Sequence, residues 1–227
     1  MAHSVLVIAD SGSGKSTSIR DLDPKETFII NIANKPLPFK GWKKNYTMIG
    51  KDNPNGNMAA TATAAGIMKA MMHVNDKMPH IKNLVIDDWQ YMSSFEYFDR
   101  ADEKGYDKFT SIAKNLAQVA KMPKDMRDDL YIFFLTHSEE STDVNGHRKV
   151  KAKTVGKMID NALTLEGLFS IVLFGKVVKG EDDKLSYVFE TVNNGENTCK
   201  SPDGMFDDAR IDNSLKVVKN AIIEYEN

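Results

Sequence analysis

The chain has 227 residues with 30 basic and 32 acidic side chains, a net charge of −2, which excludes any global attraction to nucleic acid or anionic membrane. Its single cysteine, Cys199, excludes a disulfide framework and fits a reducing cytoplasm. No apolar run is long enough to span a membrane and no basic-then-apolar leader opens the chain, so one α/β domain over residues 1–227, with no membrane partner, is expected.

The run Ser4-Val5-Leu6-Val7-Ile8-Ala9 is short and apolar and reads as a buried strand. After Asp10, Gly12 and Gly14 allow a tight turn, and Lys15, Ser16 and Thr17 open a helix predicted through Leu22. Strand, glycine-rich loop and helix in that order form a phosphate-binding P-loop, with Ala9 standing where the pattern has its leading glycine. Ser11, Gly12, Ser13, Gly14, Lys15, Ser16 and Thr17 are the expected cradle for ATP, with backbone amides and a helix N-terminus converging on phosphate oxygens. Lys15 would reach the β- and γ-phosphates, and the Ser16 hydroxyl would sit on Mg²⁺.

Asp23-Pro24 is a turn, and Thr27 to Ile32 reads as a second buried strand. Pro36 and Pro38 keep Asn34 to Gly41 irregular. Tyr46 to Ile49 is predicted as a short edge strand, followed by a polar loop from Lys51 to Asn57. Met58 to Val74, rich in alanine and methionine, is predicted as a helix whose methionines belong to the core. Asn83 to Asp88 is the third strand; helices follow over Tyr91 to Glu103 and Asp107 to Met122, parted at Gly105.

Leu130 to His137 is a long apolar strand, and Ser138 to Thr154 is a charged stretch without apolar periodicity, read as a loop. A short helix over Val155 to Leu163 comes next. Phe169 to Val178 and Lys184 to Val192 form a predicted hairpin around Gly180-Glu181-Asp182-Asp183. A Gly-containing loop from Asn193 to Asp208 precedes a terminal helix near Asn213 to Tyr225. The sheet implied is mostly parallel, with the ligand at the carboxyl ends of its strands.

Asp87 closes an apolar strand downstream of the P-loop, as a Walker B aspartate does, and is the expected second Mg²⁺ residue beside Ser16. Asp88 either orients an attacking water or caps the helix that follows. The densest basic run is His147, Arg148, Lys149, Lys151 and Lys153. It is either a solvated loop balanced by Glu139, Glu140 and Asp143 or a contact to a nucleic-acid backbone. No aromatic residue interleaves there, so base stacking would come from elsewhere.

With these pieces in place the chain resembles the phage-encoded P-loop nucleotide-binding proteins of the RecA-like type, some of which are single-strand annealing or recombination proteins. The resemblance covers nearly the whole chain. It rests on Gly12-Ser13-Gly14-Lys15-Ser16, Leu84-Val85-Ile86-Asp87-Asp88 and Phe134-Leu135-Thr136-His137-Ser138-Glu139. It rests also on Lys153-Thr154-Val155-Gly156-Lys157 and on the late stretch Asn197 to Phe206. It implies a RecA-like P-loop NTPase core with a C-terminal β-hairpin and helix, binding Mg²⁺ and ATP. It implies a polar γ-phosphate sensor at Thr136 and His137, and a lysine, Lys200, that reaches a neighbouring subunit's nucleotide. The partners implied are single-stranded DNA, a single-strand-binding protein and further copies of the chain in a ring or filament, in the cytoplasm of the host cell. One departure is that the second strand ends in Asn31-Ile32-Ala33-Asn34-Lys35, where RecA-like proteins carry a water-activating glutamate. Two other functions stay open: a monomeric nucleotide or small-molecule kinase, and a regulatory module that holds ATP with little hydrolysis.

Overall fold

The computed structural model describes residues 1–142, 146, 148–155, 163–180 and 183–227. Its frame is a strand buried on both faces. β1 (His3–Ala9) has Val5 to Ala9 wholly inside, as a near-continuous apolar run requires when neighbours flank both edges and helical layers cover both faces. It pairs in parallel with β5 (Tyr131–Thr142) on one side and β7 (Ile171–Lys179) on the other. Beyond β5 lie β4 (Asn83–Asp87), β2 (Thr27–Asn31) and the two-residue edge strand β3 (Met58–Ala59), all parallel. Beyond β7, β8 (Leu185–Glu190) and β9 (Arg210–Asp212) run antiparallel. Among the described residues the sheet order is β3-β2-β4-β5-β1-β7-β8-β9, and β6 (Arg148–Ala152) pairs with the far end of β5. The chain is therefore α/β with a mostly parallel sheet and a C-terminal hairpin and helix, as a RecA-like core requires, although other α/β proteins share that layering.

Side-chain alternation along the strands divides the core in two. Leu6, Ile8, Ile30, Ile86 and Phe134 face α2 (Ala64–Lys77), α4 (Asp107–Lys121) and Trp89, just before α3 (Gln90–Asp99). Val5, Val7, Ile29, Val85 and Leu135 face Ile19, Leu22, Leu37 and α5 (Leu215–Glu226). Among the described residues no helix is long and apolar enough to cross a membrane.

Four expectations need correction. The helix expected after the glycine-rich loop is present, but as a 3-10 helix over Ser16–Asp21 that stops one residue before Leu22. The chain has only one short run before the Asp23-Pro24 turn, and the Ser18 hydroxyl donates to Lys15 O at 2.5 Å, which favours the tighter winding. The stretch from Met58 divides: Met58 and Ala59 pair with β2, and the helix begins only at Ala64, where Thr63 Oγ1 accepts the Gly66 amide at 3.1 Å. Tyr46 to Ile49 makes a single bridge, Met48 to Met58, after the one-turn helix α1 (Trp42–Asn45).

The fourth concerns Ser138 to Thr154, which is no loop. β5 runs on to Thr142, and Ser138 to Thr142 pair with Arg148 to Ala152. Cross-strand ion pairs, Lys151 with Glu139 and Arg148 with Glu140, join the two strands, so apolar alternation never announced them. Residues 156–162 of the helix predicted over Val155 to Leu163, the positions of His147 and Lys157, and the hairpin tip at Glu181 and Asp182 lie outside the described residues.

Cys199 is buried, and burial, with Glu190 nearby, pushes its thiol up to about 12. At pH 8 the folded chain then holds far less thiolate than a free cysteine, whose pKa is about 8.5. A thiol reagent is expected to label Cys199 only slowly in buffer and rapidly in urea; equal rates in the two would contradict this burial.

Candidate functional site

β1 delivers the glycine-rich loop to the carboxyl edge of the sheet. Gly12 and Gly14 take φ values of 81° and 85°, the left-handed region open to glycine, and between them Ser13 N donates to Asp10 O at 3.3 Å, so that the loop turns tightly after β1. The alanine that replaces the leading glycine is accommodated from next door. Ala9 pairs with Gly175 of β7, and a Cβ on Gly175 would come within 2.8 Å of the Ala9 methyl. The glycine on β7 leaves room for the Ala9 methyl.

Lys15 folds into this loop, buried, with Nζ donating to Ala9 O at 2.8 Å and to Asp10 O at 2.9 Å. Burial pulls its pKa down to about 8, and the carboxylates of Asp88, Asp87 and Asp10 oppose that fall. At neutral pH it remains a cation. Its third contact is His137 Nδ1 at 3.3 Å. An ammonium only donates, so Nδ1 accepts and the ring proton belongs on Nε2, which lies 3.5 Å from Asp88 Oδ1.

At the end of β4, Ser16 Oγ donates to Asp87 Oδ1 at 2.8 Å. Asp87 is buried, and desolvation with the adjacent Asp88 raises its pKa to about 6, against the pull of the Ser16 hydrogen bond and of Lys35 and Lys15. Asp88 takes the left-handed conformation, φ 59°, which turns its carboxylate into the cleft. Helix α3 has no side-chain cap; Asp88 gives it only a backbone carbonyl, accepting Tyr91 N at 3.0 Å. The cap reading is thus set aside. Burial would raise the Asp88 pKa, but hydrogen bonding to His137 and the ion pair with Lys35, 2.5 Å from Oδ2, hold it below the usual range.

Lys35 is the residue that sequence reasoning missed here. Asn31, at the end of β2, bonds both the carbonyl and the amide of Lys35, at 2.6 and 3.3 Å, and so shapes the turn that brings the ammonium to Asp88. The signal was present in Asn31-Ile32-Ala33-Asn34-Lys35: an asparagine closing a strand four residues before a lysine. Gln90 was missed as well. Its Oε1 accepts from His137 N at 3.1 Å and, more distantly, from Thr136 Oγ1 at 3.4 Å, tying the middle of β5 to α3.

The resulting cleft holds about 620 Å³ and is lined by Ser11, Gly12, Gly14, Lys15, Ser16, Thr17, Asp88 and His137, together with Arg20, Lys35, Pro38, Tyr91, Tyr187 and Asn213. Ser13 turns away and accepts a hydrogen bond from Asn213 Nδ2 at 3.4 Å. Thr136 alternates to the opposite face of β5 from His137 and does not reach the cleft. Lys200 bridges Val172, three residues short of the Gly175 that neighbours the loop, so it lies back toward the amino ends of the parallel strands. Arg148, Lys149, Lys151 and Lys153 belong to the β5–β6 hairpin or its end, and Lys153 N donates to His137 O at 2.8 Å. Among the described residues no three His, Cys, Asp or Glu side chains converge on a metal-sized site. The Ser16–Asp87 pair still fits Mg²⁺, an ion that takes most of its ligands from phosphate and water.

The two glycines can be told apart. A Cβ at Gly12 meets nothing within 4 Å, whereas one at Gly14 meets Asn213 Oδ1 and Tyr187 Cδ1, each at 3.1 Å. Gly12→Ala should cost only the left-handed backbone penalty, about 1–2 kcal/mol. Gly14→Ala should cost more, and urea denaturation of the two variants measures the difference; equal losses would mean that the C-terminal wall yields freely. No protein-family model matches this chain, and no curated protein matches it at a significant level.

Proposed function

We propose that the chain is a Mg²⁺- and ATP-binding protein with a RecA-like core and slow turnover, acting on single-stranded DNA as a phage-type annealing or recombination protein. The observation that carries the nucleotide part is the Ser16–Asp87 hydrogen bond beside a buried lysine and a two-glycine nest. An accidental Gly-Lys-Ser turn has no reason to bury its lysine or to meet a strand-end aspartate 71 residues away. Ser16 and Asp87 would hold Mg²⁺, which supplies charge neutralisation at the β- and γ-phosphates. Lys15 would bind the same phosphates by trading main-chain carbonyls for stronger charged acceptors.

His137 and Asp88 then border the terminal phosphate. Asp88 is the carboxylate turned into the cleft, and it would orient the attacking water. Its pairing with Lys35 lowers its basicity, which supports slow hydrolysis. The same pairing favours a second reading, a module that holds ATP with little hydrolysis. DNA contact is supported by the β5–β6 hairpin, which begins next to His137 and exposes Lys149 and Lys153. The ion pairs of Arg148 and Lys151 reduce its net charge. Assembly into a ring or filament, a single-strand-binding protein as partner, Lys200 acting across subunits and a cytoplasmic setting complete the proposal and rest on the resemblance.

Lys15→Ala removes a charge-assisted contact worth about 1.5–3 kcal/mol, so ATP affinity should fall at least tenfold in a chain that still folds. Titration of nucleotide in the presence of Mg²⁺ measures it, and unchanged affinity would sink the phosphate-site assignment. Asp88→Asn should leave ATP affinity intact and abolish ATPase activity measured with single-stranded DNA present. Wild-type activity in that variant would remove Asp88 from the chemistry, and tight binding without turnover in both would favour the holding module.

A further inference from the structure

We propose that Tyr187 is the seat of the nucleotide's heterocyclic base, a ring platform supplied by the C-terminal strands. The inference rests on the phosphate-site reading above and concerns the opposite end of the same cleft. Asp87, Asp88 and His137 come from β4 and β5, on one side of β1, while β7, β8 and β9 lie on the other. A ligand whose terminal phosphate points at Asp88 and His137 therefore extends its remaining part toward β8. The cleft is lined there by Tyr187 and Asn213.

Both residues are held in place by main-chain geometry. Asn213 N donates to Tyr187 O at 3.2 Å, making them neighbours across the β8–β9 edge. The Asn213 side chain is buried, and its Nδ2 faces Ser13 O because that carbonyl only accepts. Its Oδ1 is thereby left without a partner, packed against Gly14. Asn213 is a positioning residue, fixing the β8–β9 end against the phosphate loop. Tyr187, by contrast, is 47% exposed although its ring edge abuts Gly14. An aromatic surface half open beside a phosphate loop has little to offer an inorganic anion and much to offer a flat heterocycle, which stacks on it.

Two probes separate the base from the phosphates: ATP and inorganic tripolyphosphate, each titrated with Mg²⁺ into the full chain carrying tyrosine, phenylalanine or alanine at position 187. Tyr187→Ala is expected to weaken ATP about tenfold, the scale of one lost base–ring stack, and to leave tripolyphosphate unchanged. Tyr187→Phe should keep the ATP affinity, since the ring and not the hydroxyl does the stacking. Loss of both probes together in the alanine variant would make Tyr187 a prop for Gly14 and overturn the base seat. Unchanged ATP affinity would overturn it as well. A wild-type chain that binds neither probe removes the phosphate site itself, whereas failure confined to position 187 leaves that site standing.

Discussion

Lys15 is almost wholly buried in the loop that follows β1, and the rest of the cleft is arranged so that it can stay charged there. Burial alone would strip its proton; two main-chain carbonyls, one imidazole nitrogen and the field of three aspartates oppose that tendency. These partners come from three places in the sequence. Only a strand order that sets β5 beside β1 and β4 beside β5 brings them to one edge. The parallel topology and the buried cation are thus two aspects of one arrangement. The mostly apolar strands supply the driving force for the sheet, and their polar ends supply the charges that make its edge tolerable.

The parts of this arrangement legible in the sequence were those that a local pattern encodes. Strands β1, β2, β4, β5, β7 and β8 announce themselves as apolar or alternating runs, and the glycine-lysine-serine turn follows directly from its spacing. Elements held by distant partners did not announce themselves. β6 is paired through glutamates ten or so positions upstream, so its lysines and arginine look like a solvated loop until the partner strand is known. β3 is two residues long and exists because β2 offers an open edge. The compensation of Ala9 by Gly175 spans 166 positions and has no local signature. Thr136 and His137 were legible together as a polar strand end, but only the phase of the pleat decides which of them meets the cleft.

The C-terminal unit shows the same limit from the other side. Nothing local marks Tyr187 or Asn213: one is an alternating strand residue, the other lies two positions before α5. What singles them out is their approach to Gly14, at 3.1 Å from the place a Cβ would occupy. The second glycine is therefore doubly constrained, by its own left-handed φ and by the wall that β8, β9 and α5 build against it. The glycine-rich loop is not free-standing here; its outer side is completed by β8, β9 and Asn213.

The end of β2 decides how the cleft treats water. A RecA-like site would place a carboxylate there, and this chain places Asn31, whose amide organises a turn that carries Lys35 inward instead. The turn thus sets a cation against the carboxylate of Asp88. Two aspartates and two lysines then share this end of the cleft, Asp87 with Ser16, Asp88 with Lys35 and His137, and Lys15 with the loop carbonyls. A carboxylate held in its charged form by an ammonium 2.5 Å away is well placed to stay ionised and poorly placed to take a proton from water. The same lysine, more than half exposed on its side chain, brings added positive charge to the cleft where a terminal phosphate would arrive. These charges favour holding a phosphorylated ligand over cleaving it, in keeping with the slow turnover proposed above.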